Sequence, residues 1–177
     1  PATFFATPSW IENHRSLAIQ ICQQGHEIQG LGEQAVCVEQ MTAKACRKEL
    51  QKIRETIGTV TEEPAVFFRI PGGEYNNEVL RTIYACGSYP VAWSVDSMDW
   101  KEYEAGELVR QLLQSCTIRD GEILRFHGEG ENTGEMVKLL HPRLKEEGYE
   151  AVTVSQMVYK DRYRMTTDGR QIPEKSK

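Results

Sequence analysis

Apolar positions along the chain follow two alternating rhythms. Short runs at Ala2 to Ala6, Ala65 to Phe68, Val91 to Val95, Ile123 to Phe126 and Ala151 to Val154 read as buried strands, and His26-Glu27-Ile28 opens another. Between them, apolar residues recur at three- and four-residue steps. This spacing predicts helices over Ile11 to Gln24, from Thr42 as N-cap to a stop at Gly58, over Asn76 to Ala85, over Ala105 to Ser115, and over Glu135 to Glu147. Gly25 and Gly148 stand where C-cap glycines belong. Residues 29 to 40 lack periodicity and read as a loop, and Arg69-Ile70-Pro71-Gly72-Gly73 forbids regular structure. Strand followed by helix throughout predicts an α/β fold with right-handed crossovers and a parallel sheet, open or closed as a barrel. One domain is expected over residues 1–158, with a polar, mobile tail over 159–177.

Composition narrows this picture. With 177 residues, 40% of them apolar, the chain can bury a sizeable core but has no room for a second domain. It has neither an apolar run long enough for a membrane span nor a basic, apolar leader after Pro1-Ala2-Thr3-Phe4-Phe5, so a soluble chain is expected. It starts without Met, inside a strand pattern, which leaves an upstream segment open. The net charge of -5 is dispersed and no basic stripe appears, which argues against nucleic acid as a partner. Five widely spaced cysteines without a CxxC pair indicate neither a disulfide framework nor a zinc ribbon, and read as buried free thiols.

In parallel α/β folds, ligands bind at the carboxyl ends of the strands. Three such ends carry chemistry: Arg69 after Phe67-Phe68, Asp96 and Asp99 after Val91 to Val95, and His127 after Ile123 to Phe126. Together they would make an acid/base constellation, with a carboxylate fixing the imidazole and Arg69 orienting a carboxylate. Each also has a plain alternative: a surface charge for Arg69, a helix cap for either aspartate, a packed loop residue for His127. Tyr75, Trp93, Trp100 and Tyr103 are aromatic residues that could face a sugar, with Trp93 expected in the core and Trp100 the better ligand candidate.

Five blocks, in order and with ordinary spacing, carry a family resemblance. They are Thr3-Phe4-Phe5, Gly25-His26-Glu27-Ile28, Arg69-x-Pro71-x-Gly73-x-Tyr75-Asn76, Trp93-Ser94-Val95-Asp96-Ser97-x-Asp99-Trp100, and Gly148-Tyr149-x-x-Val152-Thr153-Val154-Ser155. Over residues 1 to about 158 the chain resembles the NodB-type polysaccharide deacetylases, carbohydrate esterase family 4, most of all their sporulation-associated branch. The resemblance implies a distorted, incomplete β/α barrel and metal-dependent removal of acetyl groups from N-acetylglucosamine polymers such as chitin or peptidoglycan. It implies Arg69 as the arginine that positions the base, Asp96 as the aspartate that tunes the late histidine, and His127 as the general acid. Trp100, Tyr75, Pro71 and Gly73 are then the expected substrate-binding positions. The family's base and metal aspartates belong to a motif one strand earlier, expected upstream of Pro1, so the barrel here would begin at its second strand.

The family's two metal-binding histidines align with Leu31 and Ala35, neither of which can ligate a metal. Of the nearby donors, Glu33 lies in the right loop, His26 matches a residue of the family's own strand, and Cys37 is displaced from the ligand positions. A family leucine two residues before the late histidine is Arg125, and the aspartate after that histidine is Gly128. By strand alternation Arg125 shares the face of His127, where its fixed charge could pair with Asp96 in the metal's place. No metal site and no cofactor are expected in this chain, although family members use a divalent metal such as zinc. The leading expectation is a degenerate, metal-poor polysaccharide deacetylase that binds N-acetylglucosamine-containing glycan or serves structurally in the cell envelope. An active N-deacetylase completed by upstream ligands and a non-catalytic interaction scaffold are the alternatives.

Overall fold

The computed structural model describes residues 1–33, 42–61, 64–128 and 130–174. Four parallel strands form the larger sheet in the order β1 (Thr3–Ala6), β2 (Glu27–Leu31), β3 (Phe67–Arg69) and β4 (Tyr89–Pro90). A separate parallel pair joins β5 (Val95–Asp96) to β6 (Leu124–Arg125). The helices are α1 (Pro8–Asn13), α2 (Arg15–Gln23), α3 (Ala43–Thr61), α4 (Asn77–Ala85), α5 (Ala105–Ser115), α6 (Thr133–Glu146) and α7 (Val154–Met157). Two short parallel sheets with helices packed against them make the parallel α/β fold that the alternating pattern predicts, in the form of the incomplete β/α barrel that the family resemblance implies. Among the described residues, β1 is paired on one flank only, to β2.

Each sheet has its own core. The larger sheet buries Ile28 and Phe68 against Leu50, Ile53 and Ile57 of α3 and Val79 and Ile83 of α4. The smaller buries Val95 against Leu108, Val109 and Leu112 of α5 and Met136 and Leu140 of α6. Both sets follow the helical spacing seen in the sequence, because each helix must hide one apolar stripe. Gly30 lets α3 come close: a Cβ there would stand 2.5 Å from Ile53 Cγ2.

Several expectations are corrected: residues 29–31, foreseen as the start of a loop, complete β2. The helix foreseen over Ile11 to Gln24 is broken at His14 (φ -129°, ψ 36°), whose N–H bonds the Trp10 carbonyl at 2.9 Å as α1 ends. The helix foreseen to stop at Gly58 runs on to Thr61, since burial of Ile57 and Val60 on either side outweighs the roughly 1 kcal/mol cost of one helical glycine. The strand foreseen over Val91 to Val95 is irregular from Val91 to Ser94. There the Val91 and Ala92 carbonyls face the Arg69 guanidinium instead of a neighbouring strand. The strand foreseen over Ala151 to Val154 is also absent, because its backbone donors go to side chains. The Val154 N–H bonds Thr3 Oγ1 at 2.8 Å, the Ser155 N–H bonds Glu27 Oε2 at 3.3 Å, and the Thr153 N–H is taken by Gln156 at the start of α7.

Glu27 thus clasps the two ends of the domain. Its carboxylate accepts from the Thr3 hydroxyl (2.7 Å), from Gln29 Nε2 (2.8 Å) and from the hydroxyl of Ser155. The polar tail is ordered in part as well: β7 (Tyr163–Met165) and β8 (Gln171–Pro173) form an antiparallel hairpin closed near Asp168-Gly169, and Arg170 pairs with Glu122 at 3.1 Å. No helix among the described residues is long and apolar enough to cross a membrane.

Ile57 has no exposed surface and sits where α3 meets the larger sheet. Ile57→Ala should lower unfolding free energy by about 2–5 kcal/mol, through lost transfer energy and the cavity left behind. Urea denaturation followed by circular dichroism measures this as a fall in midpoint at unchanged slope.

Candidate functional site

The strand ends bring His127, Asp96, Asp99, Arg125 and Arg69 to one end of the fold. Asp99 is their structural centre. It is 1% exposed, and its carboxylate accepts from Ser97 Oγ at 2.9 Å, from the His127 N–H at 3.0 and 3.1 Å, and from the Thr133 hydroxyl. Its Oδ1 also lies 2.7 Å from His127 Nδ1. Burial pushes this carboxyl up, yet the bonds from Thr133, His127 and Ser97 outweigh it and hold the group below the ordinary aspartate range. An ionised Asp99 places the proton on Nδ1 and leaves Nε2 facing Asp96 Oδ2 at 3.7 Å.

Local backbone makes this arrangement possible. Met98 adopts φ 56°, a left-handed conformation a non-glycine residue rarely takes, and this reverses the chain between Asp96 and Asp99. The Met98 N–H is held by Asp96 Oδ1 at 3.0 Å, an Asx-type contact that supports the turn. Across from it, Gly130 lets the loop close on Asp99: a Cβ there would meet Thr133 Oγ1 at 2.5 Å and Asp99 Oδ2 at 3.0 Å. Asn132 Nδ2 bonds the Tyr103 carbonyl at 2.9 Å, tying the Trp100 loop to the start of α6.

Asp96, expected as the aspartate behind the imidazole, stands on the ring's other side. Its Oδ2 is 3.7 Å from His127 Nε2 and 3.5 Å from Arg125 Nη1. The contact with Nδ1 belongs to Asp99 and not to the aspartate that the family resemblance implies. Arg125 points inward with His127, as alternation along β6 implies, and its guanidinium lies 3.9 Å from the Trp93 ring centroid. Arg69 lies 3.9 Å from the Phe5 ring and 5.7 Å from the same Trp93 ring, and bonds the Val91 and Ala92 carbonyls at 3.4 and 3.2 Å. Burial, followed by the nearby charge of Arg125, lowers its pKa to about 10. No ion pair joins Arg69 to His127 or to either aspartate.

Of the expected sugar-contacting residues, Trp100 is 58% exposed and Tyr75 is 56% exposed. Pro71 packs on the backbone at Gly32, where a Cβ would approach to 2.9 Å. Gly73 (φ 80°) makes room for Trp93, whose ring would lie 2.6 Å from a Cβ there. Trp93, expected in the core, is therefore half-buried against two guanidiniums and a glycine at the site. A cavity of about 220 Å³ adjoins the loop, lined by Asp96, Met98, Lys101, Gln111 and Ser115 among others, on the α5 flank.

The residues present do not fit the divalent metal that the family resemblance implies. Leu31 closes β2 beside Arg69 and offers no donor. Ala35 and Cys37 lie outside the described residues. Glu33 is engaged by Ser9 at 2.7 Å and by Lys52 at 3.8 Å, and His26 packs edge-on against Phe4. Among the described residues no group of three or more His, Cys, Asp or Glu could hold a metal ion. Among the described residues, the carboxylate facing Nε2 is that of Asp96, which also faces the fixed cation of Arg125, and that cation would repel a second one.

Because the native Asp99 carboxyl is held below its ordinary value of 3.8, its ionisation stabilises the fold above that value. This contribution is lost as pH falls through 3.8 and then through the lower native value. The stability gap between the wild type and Asp99→Asn should therefore be widest at neutral pH and close progressively below about pH 4. Denaturant midpoints measured across pH test this, and a gap that widens in acid would contradict it.

A sequence-family model for polysaccharide deacetylases matches residues 1–91, more than half of the chain. The Bacillus subtilis protein YlxY is 26% identical over 157 residues, covering 89% of this chain and 48% of that protein. The peptidoglycan-N-acetylglucosamine deacetylase PgdA of Listeria monocytogenes is 28% identical over 159 residues, covering 88% of this chain and 32% of that enzyme. The chain thus spans half or less of the length of these curated relatives. Among solved structures, T48 deacetylase with substrate superposes with a TM-score of 0.79 at 25% identity, covering 98% of this chain and 80% of that one. The fold is also that of BA3943 from Bacillus anthracis, described as a pseudoenzyme of carbohydrate esterase family 4, with TM-score 0.78, 24% identity, and coverage of 88% and 54%. On its sequence blocks, its fold and the match of its first 91 residues, the chain belongs to the polysaccharide deacetylase family.

Proposed function

We propose that this domain binds N-acetylglucosamine-containing glycan of the cell envelope and does not deacetylate it. The observation that carries the reading is the Asp96–Arg125 contact beside His127 Nε2, together with Leu31 at the end of β2. Deacetylation of an amide needs its carbonyl polarised and a water activated, work that an open metal site performs. Here an arginine is paired to the carboxylate next to the imidazole, and the strand end beside Arg69 is hydrocarbon. No cofactor is required for binding alone.

The remaining groups suit a sugar. Trp100 and Tyr75 present exposed aromatic faces, which pack against the apolar faces of pyranose rings while hydroxyls stay in water. His127 Nε2, with Nδ1 engaged by Asp99, can accept from a hydroxyl or donate to one when protonated. Peptidoglycan deacetylases among the relatives favour an envelope location and an envelope glycan. The preserved His127–Asp99 pair favours the second reading, an active deacetylase completed by ligands from elsewhere in the protein.

The two readings part in one experiment. The full-length protein should cosediment with peptidoglycan or chitin and release no acetate from either, with or without added zinc. Trp100→Ala should weaken binding about five- to ten-fold, the loss expected for one exposed aromatic anchor. Zinc-dependent acetate release that disappears in His127→Ala would instead establish the hydrolytic reading, and failure to bind both polymers would leave a scaffold.

A further inference from the structure

A second group of aromatic rings lies at the opposite ends of the strands. Phe67 opens β3, Tyr89 opens β4, and Tyr84 sits in the last turn of α4. The turn between the two tyrosines passes through Gly87 (φ 69°), whose N–H bonds the Tyr84 carbonyl at 2.9 Å. Their rings meet edge to face, with centroids 6.1 Å apart and planes at 77°, and Phe67 adds a third ring 6.2 Å from Tyr89. Tyr163, at the start of β7, joins them: burial, followed by the nearby phenols of Tyr163 and Tyr89, pushes the Tyr84 hydroxyl up. The ion pair of Arg170 with Glu122 at 3.1 Å ties that hairpin to the residues before β6.

Two observations set this cluster apart from core. Tyr84 is 48% exposed and Tyr89 47%, whereas rings placed for stability are buried. Among the described residues, the hydroxyls of Tyr84, Tyr89 and Tyr163 have no hydrogen-bond partner, whereas the Tyr149 hydroxyl donates to the Ile118 carbonyl at 2.7 Å. Crossed ring faces rimmed by uncommitted hydroxyls match a ligand that is apolar on its flat face and polar at its edge, and a pyranose ring has that character. An aliphatic protein surface would instead leave the hydroxyls it covers without partners. The four side chains carry no charge, so neither an anion nor a cation is selected.

We propose that Tyr84, Tyr89, Tyr163 and Phe67 form a second pyranose-binding site at the amino ends of the strands, so that one domain holds two glycan chains, one at each rim. The choice of ligand rests on the glycan-binding reading above, while the site uses none of the residues of that reading. A domain with two such sites joins neighbouring chains of an insoluble polymer. Engaging both at once holds the polymer more tightly than either site alone.

Titration calorimetry of the full-length protein with chitohexaose counts the sites. The wild type should bind two hexasaccharides per chain. The double variant Tyr84→Ala, Tyr89→Ala should lose one of the two and keep the other at unchanged affinity, and Trp100→Ala should weaken only that other one. Hydroxyl-radical footprinting of the wild type needs no variant to fold, and saturating chitohexaose should there suppress the labelling of Tyr84 and Tyr89. A single hexasaccharide per chain, weakened by Trp100→Ala and leaving Tyr84 and Tyr89 labelled, overturns the second site and leaves the glycan-binding reading standing. A single hexasaccharide that protects Tyr84 and Tyr89 and is indifferent to Trp100→Ala supports this site and overturns binding at the carboxyl ends. Absence of any binding overturns both.

Discussion

A single buried carboxylate organises this end of the molecule. Asp99 draws together its own loop through Ser97, the end of β6 through the His127 N–H and ring, and the start of α6 through Thr133. Each bond alone is worth about 1 kcal/mol, rising to about 3 where the carboxylate charge takes part. The larger consequence is geometric, since an anion removed from water must keep all of these donors close. Met98 in a left-handed conformation and Gly130 without a side chain are what that closeness requires.

Much of the architecture follows from patterns that can be read along the chain. Helical stripes in α3, α4 and α5 name the core residues directly, because burial of one face is what fixes a helix. Short parallel strands are less legible. The Val91 to Ser94 stretch is apolar enough for a strand, but its carbonyls face Arg69, and no local signal announces a guanidinium 22 residues away. The β7–β8 hairpin hides in polar composition, its register resting on Tyr163, Ile172 and the turn at Asp168-Gly169.

The site was legible in its residues and not in its pairings. Arg69, His127 and the two aspartates announce themselves by following apolar runs. Which aspartate meets Nδ1 does not, since counting from β5 makes Asp96 the strand-end carboxylate. The reversal at Met98 then delivers Asp99 to a histidine 28 residues later. The pattern assigns Trp93 to the core for a similar reason: its neighbours at the site, Gly73, Arg69 and Arg125, come from three separate segments.

Within the polysaccharide deacetylase family, the chain combines an imidazole poised by a buried aspartate with a neighbouring carboxylate that faces an arginine. The first half resembles proton-transfer machinery, and the second works against any added cation. On the reading proposed above, the Arg125 cation adds to the replacement of two ligand positions, at Leu31 and Ala35, in opposing a metal beside His127. Zinc titration into the metal-free, full-length protein tests that claim most directly. The account predicts no stoichiometric uptake at micromolar zinc and no change in thermal midpoint. One tightly bound zinc per chain, lost in His127→Ala, would contradict it.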